Sequence, residues 1–473
     1  MARIAVIGAG MGAMATAARL AVAGHRVTVY ERGGDHGGAL GRYERDGFAF
    51  DTGPGLLHLP AVYRDLFVKT GKRTLEDCVD LVQVDPALRH VLPGHGIGAT
   101  LPGASRGGVA AALDAAFGPG AGERWNGVLG RARDAWDATR RPLLEEPLRP
   151  DWQLLGRDPY PALRGSGLLR RRPPTLAEVA ARELGGPLGE LLTARVGAYG
   201  VDPGRAPASA AVLPYMEQTF GSWYPRGGMR ALAAAVHERC RERKVAFVFG
   251  ADVRDVLLQD GRAAGLLLAD GSEAAADLVV CGIHPRLLPA VAAALPPGGP
   301  AVREEPGTSR LTLFLALRGA RPADAVHRTL VHAPGTGPVV TVLRPDDPAT
   351  RPDPDHEAVT VSAVGGPGAA GPATLLELAA QAVPGLEERL LWQEVRTPAD
   401  VEAATGAPGG AVPAPALAGA GGRLLHPANT TALPGLYLAG GWAHPGGGTA
   451  HAGMTGALVA GLVVEGAGFR GSR

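Results

Sequence analysis

The opening of the chain, from Arg3 to Glu31, admits few folds. Arg3 to Ile7 reads as a buried strand. Gly8-Ala9-Gly10-Met11-Gly12-Ala13 turns it into an Ala-rich helical segment ending at Gly24, and Arg26 to Tyr30 gives a second strand closed by Glu31. Strand, Gly-rich turn, helix and strand in this order form a βαβ unit with the dinucleotide fingerprint in its required context. Gly8 permits the tight turn, Gly10 lets backbone N–H groups approach a pyrophosphate, and the helix N-terminus brings partial positive charge to it. Ala13 takes the third fingerprint position. Glu31, 23 residues after Gly8, can accept hydrogen bonds from an adenosine ribose and would repel a 2′-phosphate. The plainer reading, a turn that only packs helix on strand, is disfavoured by the full context.

Two other glycine clusters show how much the context matters. Gly94 to Ala99 has the spacing, but Thr100-Leu101-Pro102-Gly103 follows and no helix can begin. Gly366 to Gly371 lies between a strand-like Ala358 to Val364 and a helical Ala373 to Val383. Pro372 there suits a helix starting after the third Gly, whereas the fingerprint needs the start near the second.

At 473 residues the chain exceeds one ordinary core and predicts two domains. Its 70 Gly and 41 Pro raise a disorder flag that the 46% apolar content and recurrent periodic segments answer. A net charge of +1 offers nucleic acid no overall attraction. Cys78, Cys240 and Cys281 are too scattered for a metal site and fit a reducing, cytoplasmic setting. No apolar stretch reaches the roughly 20 residues that cross a bilayer; Ala457 to Val464 comes nearest.

Beyond Glu31 come Gly37-Gly38 and then Asp46-Gly47-Phe48-Ala49-Phe50-Asp51-Thr52-Gly53-Pro54-Gly55. A nicotinamide site has no use for this extension; FAD, continuing past its pyrophosphate, needs a second close backbone approach. The segment resembles the phytoene desaturase family of flavoproteins, within the amine-oxidase-like class. The resemblance returns at Tyr224-Pro225-Arg226-Gly227-Gly228-Met229, and again at Leu436 to Gly441 with His444-Pro445-Gly446-Gly447-Gly448. Weaker matches are Ala198 to Pro203 and Ala206-Pro207, while His426-Pro427 stands where the family usually has Arg-Pro.

The resemblance implies an α/β fold: a Rossmann-like FAD-binding domain of residues 1–75, 221–290 and 425–473. A discontinuous substrate domain of mixed β-sheet and helices takes 76–220 and 291–424. It implies returning strands at Val245 to Val256, Ala264 to Leu268 and Leu278 to Cys281, with Ala414 to Gly422 a loop. The closing unit would be strand Leu436 to Leu438, turn Gly440-Gly441 and a helix from about Gly453 to Val464, its N-terminus facing the flavin pyrimidine ring. The cofactor-binding residues expected are Gly8, Gly10, Met11, Gly12, Ala13, Glu31, Arg32, Gly37, Gly38, Gly53, Pro54, Val253, Gly440, Gly441, Gly453 and Met454. FAD is the expected cofactor, and no metal site is.

Flavin chemistry requires only that a C–H bond lie over the ring and that the ring be tuned. No Ser-His-Asp set, P-loop or metal-spaced cluster appears in the sequence. Arg226 and His444 are the catalytic candidates, with His451 as a further helper. Arg226 reads equally as a surface or pyrophosphate contact, His444 as a packed turn residue, and His451 as a cap. No convincing base for proton removal is legible. The expected reaction is hydride removal from C–C bonds of an apolar isoprenoid or carotenoid precursor, with electrons passed to oxygen or a quinone. Polyene isomerisation, and oxidation of a C–N or C–C bond in a specialised metabolite, are the alternatives. Amine oxidation would call for an aromatic cage, for which Trp442, Tyr224 and Trp223 are near enough to the motifs. The basic run Leu168-Leu169-Arg170-Arg171-Arg172-Pro173-Pro174 reads either as a peripheral membrane contact or as a solvated loop before a helix near Thr175.

Overall fold

A computed structural model describes residues 1–163, 172–296, 299–300, 308–335, 337–366 and 370–471. The run at Leu168 to Arg171 and the centre of the Gly366–Gly371 cluster lie outside these. Of the basic run, Arg172 pairs with Glu178 at 2.7 Å, beside the capping box that Thr175 and Glu178 form at the start of a short helix.

Two sheets organise the chain. The first has five parallel strands in the order Leu436–Leu438, Leu278–Cys281, Arg3–Ile7, Arg26–Glu31 and Ala246–Phe249. Its central strands are near-continuous runs of Ile, Val and Ala because both faces are covered. On one face lies the Met11–Val22 helix, gripped by the Thr449–Glu465 and Met229–Glu242 helices. Small residues make this approach close: a Cβ on Gly456 would stand 2.7 Å from the carbonyl carbon of Ala15. Burial of side chains such as Met14, Leu20, Val236 and Val459 in this layer contributes about 1.5–3 kcal/mol apiece for the larger ones.

The stretch expected as one strand from Val245 to Val256 is two. Gly250, at φ +72°, breaks the run into Ala246–Phe249, which joins the parallel sheet, and Val253–Gln259, which pairs instead with Arg262–Leu268. The closing helix also begins earlier than expected, at Thr449 directly after Gly448.

The second sheet has seven strands, in the order Leu390–Arg396, Ser309–Arg318, His356–Gly365, Val339–Leu343, Arg328–His332, Leu88–Leu92 and Ile97–Leu101. Pairing is antiparallel except between Arg328–His332 and Leu88–Leu92. Period-2 alternation sends Leu313, Leu315, Leu317, Val340, Val342, Val359 and Val361 to one face, where the Pro372–Ala380 helix covers them. The opposite face looks toward the first sheet. A helical layer packed around Trp125, Leu191 and Leu213 closes the third side.

Contrary to the expectation that no apolar stretch nears spanning length, Thr449–Gly468 is long and apolar enough by length and composition. Over half of it is buried within the molecule, against the Met11–Val22 helix.

Candidate functional site

A single cavity of about 870 Å³ runs from the Gly8 turn to the inner face of the seven-stranded sheet. Its nucleotide end is built by the first βαβ unit. Gly8 sits at φ +86°, and Gly10, extended at φ −73° and ψ 166°, caps the Met11–Val22 helix. A Cβ on Gly10 would meet nothing within 4 Å, so the space above it is open to a ligand. Gly12 is required for the opposite reason: a Cβ there would stand 2.6 Å from the Cα of Gly440 and 2.7 Å from the carbonyl oxygen of Ala452. The two Gly-rich ends of the sequence thus meet at this point.

Glu31 accepts hydrogen bonds from the N–H groups of Ala9 (2.7 Å) and Gly33 (2.8 Å), tying the turn to the end of the second strand. Gly37 donates to the Ala9 carbonyl and brings Gly38 against Gly10. Arg32 lines the same end, its guanidinium donating to the Ala403 carbonyl. Met11, Gly53, Pro54, Val253, Gly440 and Gly441 also line the cavity. Ala13, Gly453 and Met454 do not. Ala13 packs behind the turn against Gly282, Gly453 sits against the Tyr63 ring, and Met454 joins the helical core. These three shape the cradle from behind rather than touching its contents.

Both expected catalytic residues lie outside the cavity. Arg226 is exposed, its Nε 3.2 Å from Asp80. The motif around it is a clamp: Gly227 N–H and Tyr224 O–H both donate to Asp347, while Asp51 accepts from the N–H groups of Met229 and Arg230. His444 is fully buried, with Nε2 3.0 Å from the Glu146 carbonyl. Burial pushes its imidazole down to about 4. It is a packed turn residue, beside the cis His444–Pro445 bond. His451 does line the cavity, in the first turn of the closing helix, and burial likewise pushes it to about 4.

Sequence reading missed the polar wall at the far end. Glu217 is buried and takes Arg195 Nη2 at 3.0 Å, Arg328 Nη1 at 3.2 Å and the Tyr199 hydroxyl at 2.8 Å. Burial alone would raise its carboxyl; the two guanidinium groups outweigh that and hold it ionised, below the usual carboxylate range. His58, its Nε2 3.6 Å from Glu217, is kept neutral by burial. The only signal was a lone Glu among apolar positions of the Val212–Phe220 helix.

Of the three aromatics considered for a cage, only Trp442 lines the cavity, and it packs edge-on against His284. Tyr224 is bound to Asp347, and Trp223 lies under Arg64. No cage forms among them.

The open space over Gly10, the positive-φ turn at Gly8, the carboxylate of Glu31 beside it and a second helix N-terminus at Thr449–Ala452 fit an extended dinucleotide carrying a flavin. The model of the flavin-containing amine oxidoreductase family matches residues 14–464, and the chain belongs to that family. Among curated proteins it is 27% identical over 504 residues to 4,4'-diapolycopene oxygenase of Methylomonas sp, covering 98% of both chains. It is 29% identical to hydroxyneurosporene desaturase of Rubrivivax gelatinosus over 97% of this chain and 92% of that one. A zeta-carotene-forming phytoene desaturase of Myxococcus xanthus is 31% identical over 59% of this chain and 53% of its own. Solved structures agree in fold: an oxidoreductase from Methanosarcina mazei (TM-score 0.64, 17% identity, 96% and 98% covered) and putrescine oxidase (0.63, 14%, 98% and 99%). Within the family, the chain is a phytoene-desaturase-like, FAD-dependent oxidoreductase.

Proposed function

We propose that this enzyme removes hydride from C–C bonds of an isoprenoid substrate of the carotenoid-precursor class, with electrons leaving to oxygen or a quinone. The observation that carries this reading is the continuous cavity joining a dinucleotide cradle to a separate sheet-walled chamber. The two relatives matched over nearly their whole length are named for polyene substrates. FAD, when bound, supplies hydride acceptance. The residues that would hold it are Gly8, Gly10, Met11, Gly12, Glu31, Gly37, Gly38, Gly53 and Gly440, which line the cradle.

Desaturation also releases a proton from the neighbouring carbon. Glu217 is unsuited to take it, because the two arginines stabilise its carboxylate and so make it a weak proton acceptor. His451 and His58 are two of the neutral imidazoles lining the cavity and are our candidates for the acceptor. Trp442, Tyr224 and Trp223 do not form the cage that amine oxidation would call for. Contact with a bilayer, the source of so apolar a substrate, is part of the same proposal.

An absorbance spectrum of the purified protein followed by anaerobic addition of phytoene in detergent tests the reading. Bleaching of the flavin band is expected. Bound flavin that stays oxidised with phytoene and related polyenes would overturn it.

A further inference from the structure

The inner face of the seven-stranded sheet is an unusual wall for a pure hydrocarbon. Where the outer face is mainly Leu and Val, the inner face mixes apolar Phe314, Ala316, Leu343 and Val364 with Arg310 and Thr312 from one strand, Thr360 and Ser362 from the next, and Thr341 from the third. The register puts three of the hydroxyl groups in one row, Thr312 opposite Ser362 and Ser362 opposite Thr341. Neighbours so opposed have Cβ atoms about 5 Å apart. Thr312 and Ser362 line the cavity, and among the described residues neither hydroxyl makes a hydrogen bond within the protein, yet neither is among the buried side-chain atoms left without a partner. Hydroxyl groups that open onto a cavity without a protein partner are free to donate to or accept from what the cavity holds.

Arg310 stands two residues before Thr312 and so on the same face. Its Nη1 donates to the Gly53 carbonyl at 3.2 Å, and among the described residues it has no carboxylate partner. Every other arginine named at the far wall is paired: Arg195 and Arg328 share Glu217. Burial with no compensating anion pulls the Arg310 guanidinium below its usual range. A bound dinucleotide's pyrophosphate would have its own donors in the backbone N–H groups of Gly8 to Ala13 on the other sheet.

We propose that Arg310, with the Thr312–Ser362–Thr341 row, binds an oxygenated end group of the substrate, a carboxylate fitting best, so that the enzyme acts on a polyprenoid already oxidised at one terminus. A guanidinium offers planar paired donors that match a carboxylate, and each hydroxyl adds one more. The reaction that supplies the substrate is then a terminal oxidation. This inference rests on the polyprenoid reading above and narrows it.

The test uses the holoenzyme and flavin difference spectra as a binding signal, with a C20 isoprenoid carboxylate and the hydrocarbon of the same length as probes in detergent. Wild type is expected to bind the carboxylate roughly tenfold or more tighter than the hydrocarbon. Arg310→Met should abolish that preference while leaving hydrocarbon binding and the ligand-free flavin spectrum unchanged. Thr312→Val combined with Ser362→Ala should reduce the preference several-fold and stands in if the arginine variant fails to fold. Equal binding of the two probes by wild type would overturn this inference and leave the polyprenoid reading intact. A flavin spectrum altered by Arg310→Met without ligand would assign the arginine to the cofactor instead. Failure of both probes to perturb the flavin would sink the polyprenoid reading as well.

Discussion

Gly10 and Gly12 are two residues apart, yet replacing each with alanine should produce opposite failures. At Gly12 the new Cβ would lie 2.6 Å from a backbone Cα of Gly440 and 2.8 Å from its nitrogen. Ordinary contact begins near 3.4 Å, so the Gly440 turn must retreat by 3.4 − 2.6 = 0.8 Å. Overpacking of that kind costs about 1–3 kcal/mol. Gly12→Ala should therefore lower the melting temperature of the apoprotein. At Gly10 the backbone is extended, a conformation alanine adopts freely, and nothing stands within 4 Å. Apoprotein stability should be unchanged. The methyl group would instead occupy the space over which the pyrophosphate must pass, removing one or more hydrogen bonds to a charged group at about 1.5–3 kcal/mol each. That corresponds to FAD affinity weaker by about 10- to 150-fold. Thermal unfolding of the apoproteins and FAD titration by fluorescence quenching would check both. A Gly10→Ala protein that holds FAD like wild type would refute the placement of the cofactor over this residue.

Three further outcomes are expected. Glu31→Ala strands the N–H groups of Ala9 and Gly33 and should purify with depleted flavin, whereas full flavin content would remove Glu31 from the site. The His444 imidazole sits at about 4 in the folded protein against 6.5 when free, so the unfolded chain binds a proton that the fold refuses. Its contribution is complete above about pH 6.5 and fades toward pH 4, at up to about 1.4 kcal/mol per pH unit; His444→Gln should flatten the stability–pH curve in that window, as denaturant titrations would show. Arg344→Met would leave Glu357, 1% exposed, with Arg389 alone, and should destabilise by about 1.5–3 kcal/mol in urea unfolding.

How far the sequence could be read depended on whether a signal was local. Arg3–Ile7, Leu278–Cys281 and Leu436–Leu438 are short β-rich runs ended by glycine or charge, and they fold as strands over those residues. Val245 to Val256 misled because one left-handed glycine inside an apolar run carries no hydropathy signature. Arg226 looked catalytic from its motif, but that motif joins Asp51 and Asp347, partners distant in sequence. Glu217, Arg195 and Arg328 are each isolated charges in sequence; only packing of the Gly186–Gly197 and Val212–Phe220 helices against the Arg328–His332 strand makes them a cluster. The alternation of apolar residues with Thr and Ser, Leu along Ser309–Arg318 and Val along His356–Gly365, was visible. Which face meets a ligand was not, since an antiparallel sheet alternates in the same way over solvent.

The Leu436–Leu438 strand is an outer member of the parallel sheet that Arg3–Ile7 begins, and Gly440 completes the cradle that Gly12 starts. On a ribosome these partners are made far apart in time: about 400 residues separate them, which at 5–20 residues per second is roughly 20–80 s. Throughout that interval the nucleotide turn has no far wall, and the Leu278–Cys281 strand, once made, keeps an open edge until Leu436–Leu438 arrives. Nascent chains should therefore depend on chaperone shielding, and flavin can be captured only after translation has passed the closing helix. In cells short of FAD, the pool of complete but empty protein would set how much enzyme survives proteolysis, linking its abundance to riboflavin supply without any dedicated regulator.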